Sequence, residues 1–329
     1  MTKLISIIIL YFFSNFNVFA SETKGVITTI KPIESLVNAV IGDTGKTVSL
    51  IPPEISPHEF RLKPSDVRIL QNSNIVFYIS SHLETGIVKM FKNLPKNIKT
   101  INLMEETGID HLSIRDNEAW ELHDHDDHDK HDAKDEKHDD HDKHDAKDEK
   151  HDDHDKHDTK DDIHIWLDPD NAIKIVRKIN KELSLFFPKN AMIYNDNSSK
   201  LINEIESLKI ELKKELLPIK DKPYIVFHDA YQYFERAFEL NAIGSIALEN
   251  DVASSPKQIS FIKDKILKSQ ATCVFQEPQF DSKLVNTVVE GTKARIGILD
   301  PIGVNILEKE NFYLQLLRNM SKSLKKCLG

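Results

Sequence analysis

Two α/β lobes, each built on a parallel sheet, with a long helix between them in sequence: that is the fold class this chain predicts, on three observations. Short β-branched or aromatic runs alternate with longer helical patterns over residues 25–103, and a second such series follows residue 220. Strands that alternate with helices form βαβ units, which build parallel sheets. A helical stretch separates the two series. Finally, 329 residues with 40% apolar content suffice for two ordinary domains with buried cores.

The chain opens with Lys3, an apolar run from Leu4 to Phe13, and the small-x-small ending Val18-Phe19-Ala20 of a secretory cleavage site. That run is too short for a membrane span and is followed by Ser14, Asn15 and Asn17. Residues 1–20 therefore read as a signal peptide, and the mature protein as exported, soluble and starting near Ser21. No cysteine near the cleavage point offers a site for lipid attachment. In the first series GVITTI, TVSLI, NIVFYIS and TINL read as strands, and IESLVNAVIG and PSDVRILQNS as helices, the latter with Ser65 as N-cap. These belong to a first lobe over residues 21–188.

An insertion at about residues 116–162 interrupts that lobe. It contains KHDAKDEKHDDHD at 130–142 and again at 143–155, a tandem duplication too polar to bury a core, so disorder is expected. Residues 123–162 hold 19 acidic residues against 8 lysines, a net of −11, which leaves the rest of the chain near +2 out of a total of −9. The acidity is thus local and says little about partners of the folded body. Nor does a basic patch with interleaved aromatics suggest nucleic acid.

Beyond the insertion, NAIKIVRKINKELSLFF ends at Pro188, and residues 190–217 place Leu201, Ile202, Ile205, Leu208, Ile210, Leu212 and Leu216 mostly on one stripe. A helix of that length spans roughly 40 Å. Residues 189–219 read as a stiff connection between lobes, with two ordinary helices of one lobe as the competing reading. The second lobe, 220–329, then supplies PYIVFH, GSIALE, CVFQE and ARIGILD as strands.

Ten of the 15 histidines lie in the insertion: His123, His125, His128, His131, His138, His141, His144, His151, His154 and His157. Close spacing in an unfolded chain gives many weak metal sites, each costing ordering entropy. An accessory metal trap is the expectation. Five histidines remain: His58, His82, His111, His164 and His228. His58 follows TVSLI, His164 sits in DDIHIWLDP before a helix start, His228 closes YIVFHDA, and Asp300 closes ARIGILD. Ligands of parallel α/β sheets bind beyond the carboxyl ends of the strands. Three imidazoles and a carboxylate so placed suit a four-coordinate zinc site. His82 and His111 read as ordinary loop residues. Two cysteines, Cys273 and Cys327, favour a disulfide in an exported protein over the alternative of two free thiols.

SPHEFRLKPSD, IHIWLDPDNA, VFHDAYQYFE, CVFQEPQF and ILDPIGVN resemble the motifs of ZnuA-type zinc-binding proteins of ABC importers, in order and spacing, across the mature chain apart from the repeat. The resemblance implies two α/β lobes joined by a long rigid helix, with the metal in the cleft between them, and a His/Asp-rich insertion in the first lobe. It implies His58, His164 and His228 as metal ligands, and Cys273–Cys327 as the second lobe's disulfide. For the fourth ligand, some relatives use an acidic residue just before the first histidine, where this chain has Pro57; Glu59 follows instead. Asp300 or water is the expectation, with Glu59 behind them. Manganese-binding relatives carry a carboxylate where His228 stands, so zinc is expected. Asp229 reads as a cap of the following helix or as a partner for an imidazole, Glu277 as a support for the site, and Trp166 as packing near it.

The implied function is capture of Zn²⁺ in the periplasm, by a monomer, for delivery to a membrane permease with its cytoplasmic ATPase. No GxxxxGK[ST] is present, so the chain does not energise transport by that route. The competing readings are a manganese or iron carrier of the same architecture and, less favoured, a zinc hydrolase. No HExxH or GxSxG supports the hydrolase.

Overall fold

The computed structural model describes residues 22–115, 161–247, 256–307 and 311–329. The segment expected to be a signal peptide and the ten repeat histidines therefore lie outside the described residues. The chain divides into two compact units, neither contiguous in sequence. The first comprises the chain up to Ile109, Ile165–Glu215 and Asp300–Ser321; the second comprises the described parts of Asp110–His164, Leu216–Leu299 and Lys322–Gly329.

The first unit's sheet contains β1 (Val26–Thr28), β2 (Val48–Ser49), β3 (Ile75–Tyr78) and β4 (Lys99–Asn102). All pairs are parallel, in the order β2-β1-β3-β4. Its connections carry α1 (Lys31–Ile41), α2 (Pro64–Gln71), α3 (Thr85–Phe91) and α4 (Leu103–Glu106). In α1 the apolar residues recur every three or four positions, so Ile33, Leu36, Val37, Val40 and Ile41 are all buried. Helix α2 starts at Pro64, not beyond Ser65: proline's fixed φ suits the first helical position, and the Asp66 carboxylate accepts the Lys63 backbone N–H at 2.8 Å.

Two long helices follow. In α5 (Pro169–Phe186) the Asp168 side chain caps the start, accepting the Asp170 N–H at 2.7 Å. Next comes α6 (Ala191–Leu216), whose 26 residues give a rod of about 39 Å. It buries Tyr194, Leu201, Ile205, Leu208, Leu212 and Leu216. Ile210, expected on that stripe, is 73% exposed. It lies two residues from both Leu208 and Leu212, which a period of 3.6 puts on the far side.

The second unit repeats the plan. Its strands are β5 (Tyr224–Val226), β6 (Ala242–Ser245), β7 (Cys273–Gln276) and β8 (Arg295–Ile298), in the order β6-β5-β7-β8, again all parallel. With them go α7 (Gln232–Phe238), α8 (Pro256–Ser269), α9 (Lys283–Val289) and the end of α10 (Phe312–Leu328), whose residues up to Ser321 count with the first unit. Ile225, Phe227, Ile246, Ile262, Val274 and Val285 form its apolar centre. Cys273, opening β7, is disulfide-bonded to Cys327, near the end of α10. Gly297 permits that approach, because a Cβ there would fall 2.4 Å from the Phe275 ring and 3.3 Å from the Cys327 Cβ.

In each sheet the first strand of the series lies between the second and the third. Successive crossovers therefore leave in opposite directions between β1 and β3, and between β5 and β7. A crevice opens at the carboxyl ends of such a pair, and ligands of open α/β sheets bind there. In the first unit a side chain of the protein fills that place. Glu84 is buried there, accepting from Thr29 Oγ1 at 2.5 Å and from the Ile79 and Ser80 N–H groups, each at 2.9 Å. Burial pushes its carboxyl up to about 7, against those hydrogen bonds.

Candidate metal centre

The corresponding place in the second unit holds different chemistry. His228 stands two residues beyond β5 and Glu277 immediately beyond β7, so the adjacency of those strands brings together residues 49 apart in sequence. His228 Nδ1 lies 2.7 Å from Glu277 Oε1, and Glu277 is only 3% exposed. Glu277, expected near the site from its strand-end position, thus meets an imidazole nitrogen. Across from it, residues 161–162 run antiparallel beside residues 112–113: Ser113 and Asp161 form a bridge, and the Asp162 N–H donates to the Leu112 carbonyl at 2.7 Å. This pairing presents His164, whose backbone N–H and Nδ1 both meet Asp162 Oδ1, at 2.9 and 2.8 Å.

An ionised carboxylate only accepts, so both histidines donate through Nδ1–H and carry their lone pairs on Nε2. The two Nε2 atoms face each other at 3.4 Å. Zinc–nitrogen bonds of 2.0–2.1 Å at the tetrahedral angle put two ligand nitrogens about 3.3–3.4 Å apart. The pair is thus spaced as two ligands of one tetrahedral ion. Asp162 is buried, and that desolvation pushes its carboxyl up to about 7, opposed by the His164 N–H and by the positive charge of Arg115.

Asp229 neither caps α7 nor receives an imidazole proton. Helix α7 begins at Gln232 with no side-chain cap, and the Asp229 carboxylate instead takes Nε of Arg115 at 2.8 Å and its Nη2. Nη1 of the same guanidinium reaches Glu235 Oε2 at 2.7 Å. Burial raises the carboxyls of Asp229 and Glu235, the latter to about 7, and Arg115 opposes both shifts. Sequence reading missed Arg115 and Asp162; only Asp162, two residues from His164, left a local sign.

The other expected residues, His111 apart, belong to the first unit. His58 is half-buried in the loop after β2, in a turn closed by the Glu59 N–H to the Ser56 carbonyl at 3.1 Å, and Glu59 is exposed. Asp300 is half-buried, and its carboxylate accepts the N–H groups of Ile302, Gly303 and Asn305 at 3.2, 2.7 and 3.4 Å. Gly303 has φ +84°, which only glycine adopts without strain, and so closes this turn. Trp166 is buried: its indole N–H donates to the Pro301 carbonyl at 2.8 Å, and its own carbonyl accepts Tyr313 O–H at 2.8 Å. His82 is exposed, and His111 Nδ1 lies 2.8 Å from Asp161.

Parallel sheets with a carboxylate-held histidine pair at a strand switch define an α/β metal-binding protein. The profile of the ZnuA family, described as zinc-uptake complex component A, periplasmic, matches residues 26–327, and this chain belongs to that family. Relatives named high-affinity zinc uptake system protein ZnuA are similar over nearly their whole length. The Brucella suis protein is 42% identical over 94% of this chain and 93% of its own. The Haemophilus ducreyi protein is 35% identical over 92% and 93%. Among solved structures, a crystal structure of ZnuA aligns with a TM-score of 0.72 at 22% identity, covering 92% of this chain and 98% of that one. A Mn-bound periplasmic metal-binding protein from Candidatus Liberibacter asiaticus aligns at 0.72 and 18%, covering 93% and 100%. These structural likenesses bear on the fold.

The carboxylates matter because an imidazole that donates to one is a more basic ligand. Glu277→Gln keeps the shape and removes the charge. It is expected to weaken zinc binding by about 10–100-fold, read by chelator competition. Unchanged affinity would reduce Glu277 to a packing role.

Proposed function

We propose that this chain captures Zn²⁺ in the periplasm and hands it to the permease of an ABC importer driven by a cytoplasmic ATPase. The observation that carries the reading is the His164–His228 pair, its Nε2 atoms 3.4 Å apart and each Nδ1 held by a buried carboxylate. Membership of the ZnuA family supports it, as do the relatives' names.

In this reading His58 of the first unit is the third ligand. The fourth is Asp300 or water, with Glu59 behind them. Three neutral imidazoles favour zinc over manganese, which prefers harder oxygen ligands. The zinc is cargo, held and released unchanged, so the reading is of a carrier and not an enzyme. Residues 1–20 serve as the signal peptide, and the carrier acts as a monomer. No described helix is long and apolar enough to cross a membrane. The repeat histidines, His123 to His157, act as an accessory trap, and because ligand imidazoles must be neutral, capture weakens in acid.

The test is zinc stoichiometry and affinity by chelator competition, on the mature chain and on one lacking residues 123–157. One tight site should survive the deletion, and manganese should displace zinc from it poorly. Loss of tight binding on deletion would make the repeat the principal site.

A further inference from the structure

The guanidinium of Arg115 joins the two segments that carry His164 and His228. Its own segment pairs with that of His164, through the Ser113–Asp161 bridge and the Asp162 N–H to the Leu112 carbonyl. The same segment lies along the start of α7: the Leu112 N–H donates to Tyr233 Oη at 3.1 Å, and Gln232 Nε2 donates to the Ser113 carbonyl at 2.8 Å. The Arg115 head then grips the chain that follows His228, through Asp229, the next residue, and Glu235 in the first turn of α7.

We propose that Arg115 is a positioning residue for the metal site, clamping the β5–α7 connection against residues 161–164 and so setting the His164–His228 spacing. The proposal rests on those two histidines being metal ligands. The planar fork of arginine is what allows it: two nitrogens match the Asp229 carboxylate while a third reaches Glu235. The three side chains are 23%, 17% and 6% exposed, so water does little to screen the clamp. Lysine, a point charge on a flexible stem, holds one carboxylate and releases the other.

The experiment uses the mature chain with and without residues 123–157, measuring zinc affinity by chelator competition and visible absorption with less than one equivalent of Co²⁺. The variants are Arg115→Gln, Arg115→Lys and, as a reference, His228→Ala. For Arg115→Gln a loss of about 10-fold or more in zinc affinity is expected, the size typical of groups that orient metal ligands. The Co²⁺ bands should weaken as the geometry departs from tetrahedral, and Arg115→Lys should restore both in part. Folded Arg115→Gln protein with wild-type affinity and spectrum would overturn the proposal, even if its melting temperature had dropped. Should Arg115→Gln not accumulate as folded protein, Asp229→Asn carries the same test with the same opposed outcomes. Tight zinc binding that survives His228→Ala in the chain lacking residues 123–157 would instead sink the ligand assignment, and the clamp with it.

Discussion

His228→Ala is expected to abolish tight zinc binding in a chain lacking residues 123–157. The loss should exceed the roughly 10–100-fold that partners of metal ligands are worth, because a ligand itself is removed. The shortened chain is needed because the repeat histidines would otherwise bind the released metal. Two controls separate chemistry from folding. His82→Ala removes an exposed histidine and should leave affinity unchanged. Glu277, 3% exposed, loses the Nδ1 partner 2.7 Å away, so some stability of the metal-free protein should go too. Near-UV circular dichroism in chelator establishes that the variant folds. A folded variant that still binds zinc as wild type would remove His228 from the ligand set.

Much of this was legible in the chain, for reasons that also mark where legibility stops. Strands β3 and β7 stood out because both faces of a parallel sheet are covered, which makes their sequences continuously apolar or aromatic. Edge strands announced themselves less well: TVSLI contributes only Val48–Ser49 to the ladder, and the strand sought in GSIALE begins earlier, at Ala242. DDIHIWLDP reads as extended, yet Ile165–Leu167 forms a 3-10 turn with all three residues buried, which strict alternation would not allow. Nothing in the strand pattern indicated that residues 300–321 belong with the first unit. At the candidate site, a rule about strand ends pointed to His228, two residues beyond β5, whereas His164 follows an isolated bridge residue and no strand of either sheet. Their carboxylates needed more: Glu277 becomes visible only once β5 and β7 are neighbours. Arg115 has partners 114 and 120 residues further along, and no local pattern encodes a contact of that range.

Loss of the Cys273–Cys327 disulfide should separate stability from binding. Cross-linking residues 54 apart restricts the unfolded chain, and the chain-entropy model puts that restriction at about 4 kcal/mol. Removing a native disulfide typically costs about 2–5 kcal/mol. Both sulfur-bearing residues are buried, at 0% and 5% exposure, so serine in their place also leaves hydroxyls in an apolar setting. The Cys273→Ser/Cys327→Ser double variant is expected to lose stability in that range in urea unfolding. The measurement belongs in chelator, because bound zinc adds stability of its own by mass action. Zinc affinity should change little. Cys273 opens β7 while Glu277 follows its end, and four residues of strand put about 13 Å between them. The strand itself is held by β5 on one side and β8 on the other. If the double variant matched wild type in urea, the disulfide would not be what ties the end of α10 to the sheet. If instead the variant folded but no longer bound zinc, the end of β7 that carries Glu277 would depend on the bridge, and the two ends of that strand would be mechanically coupled.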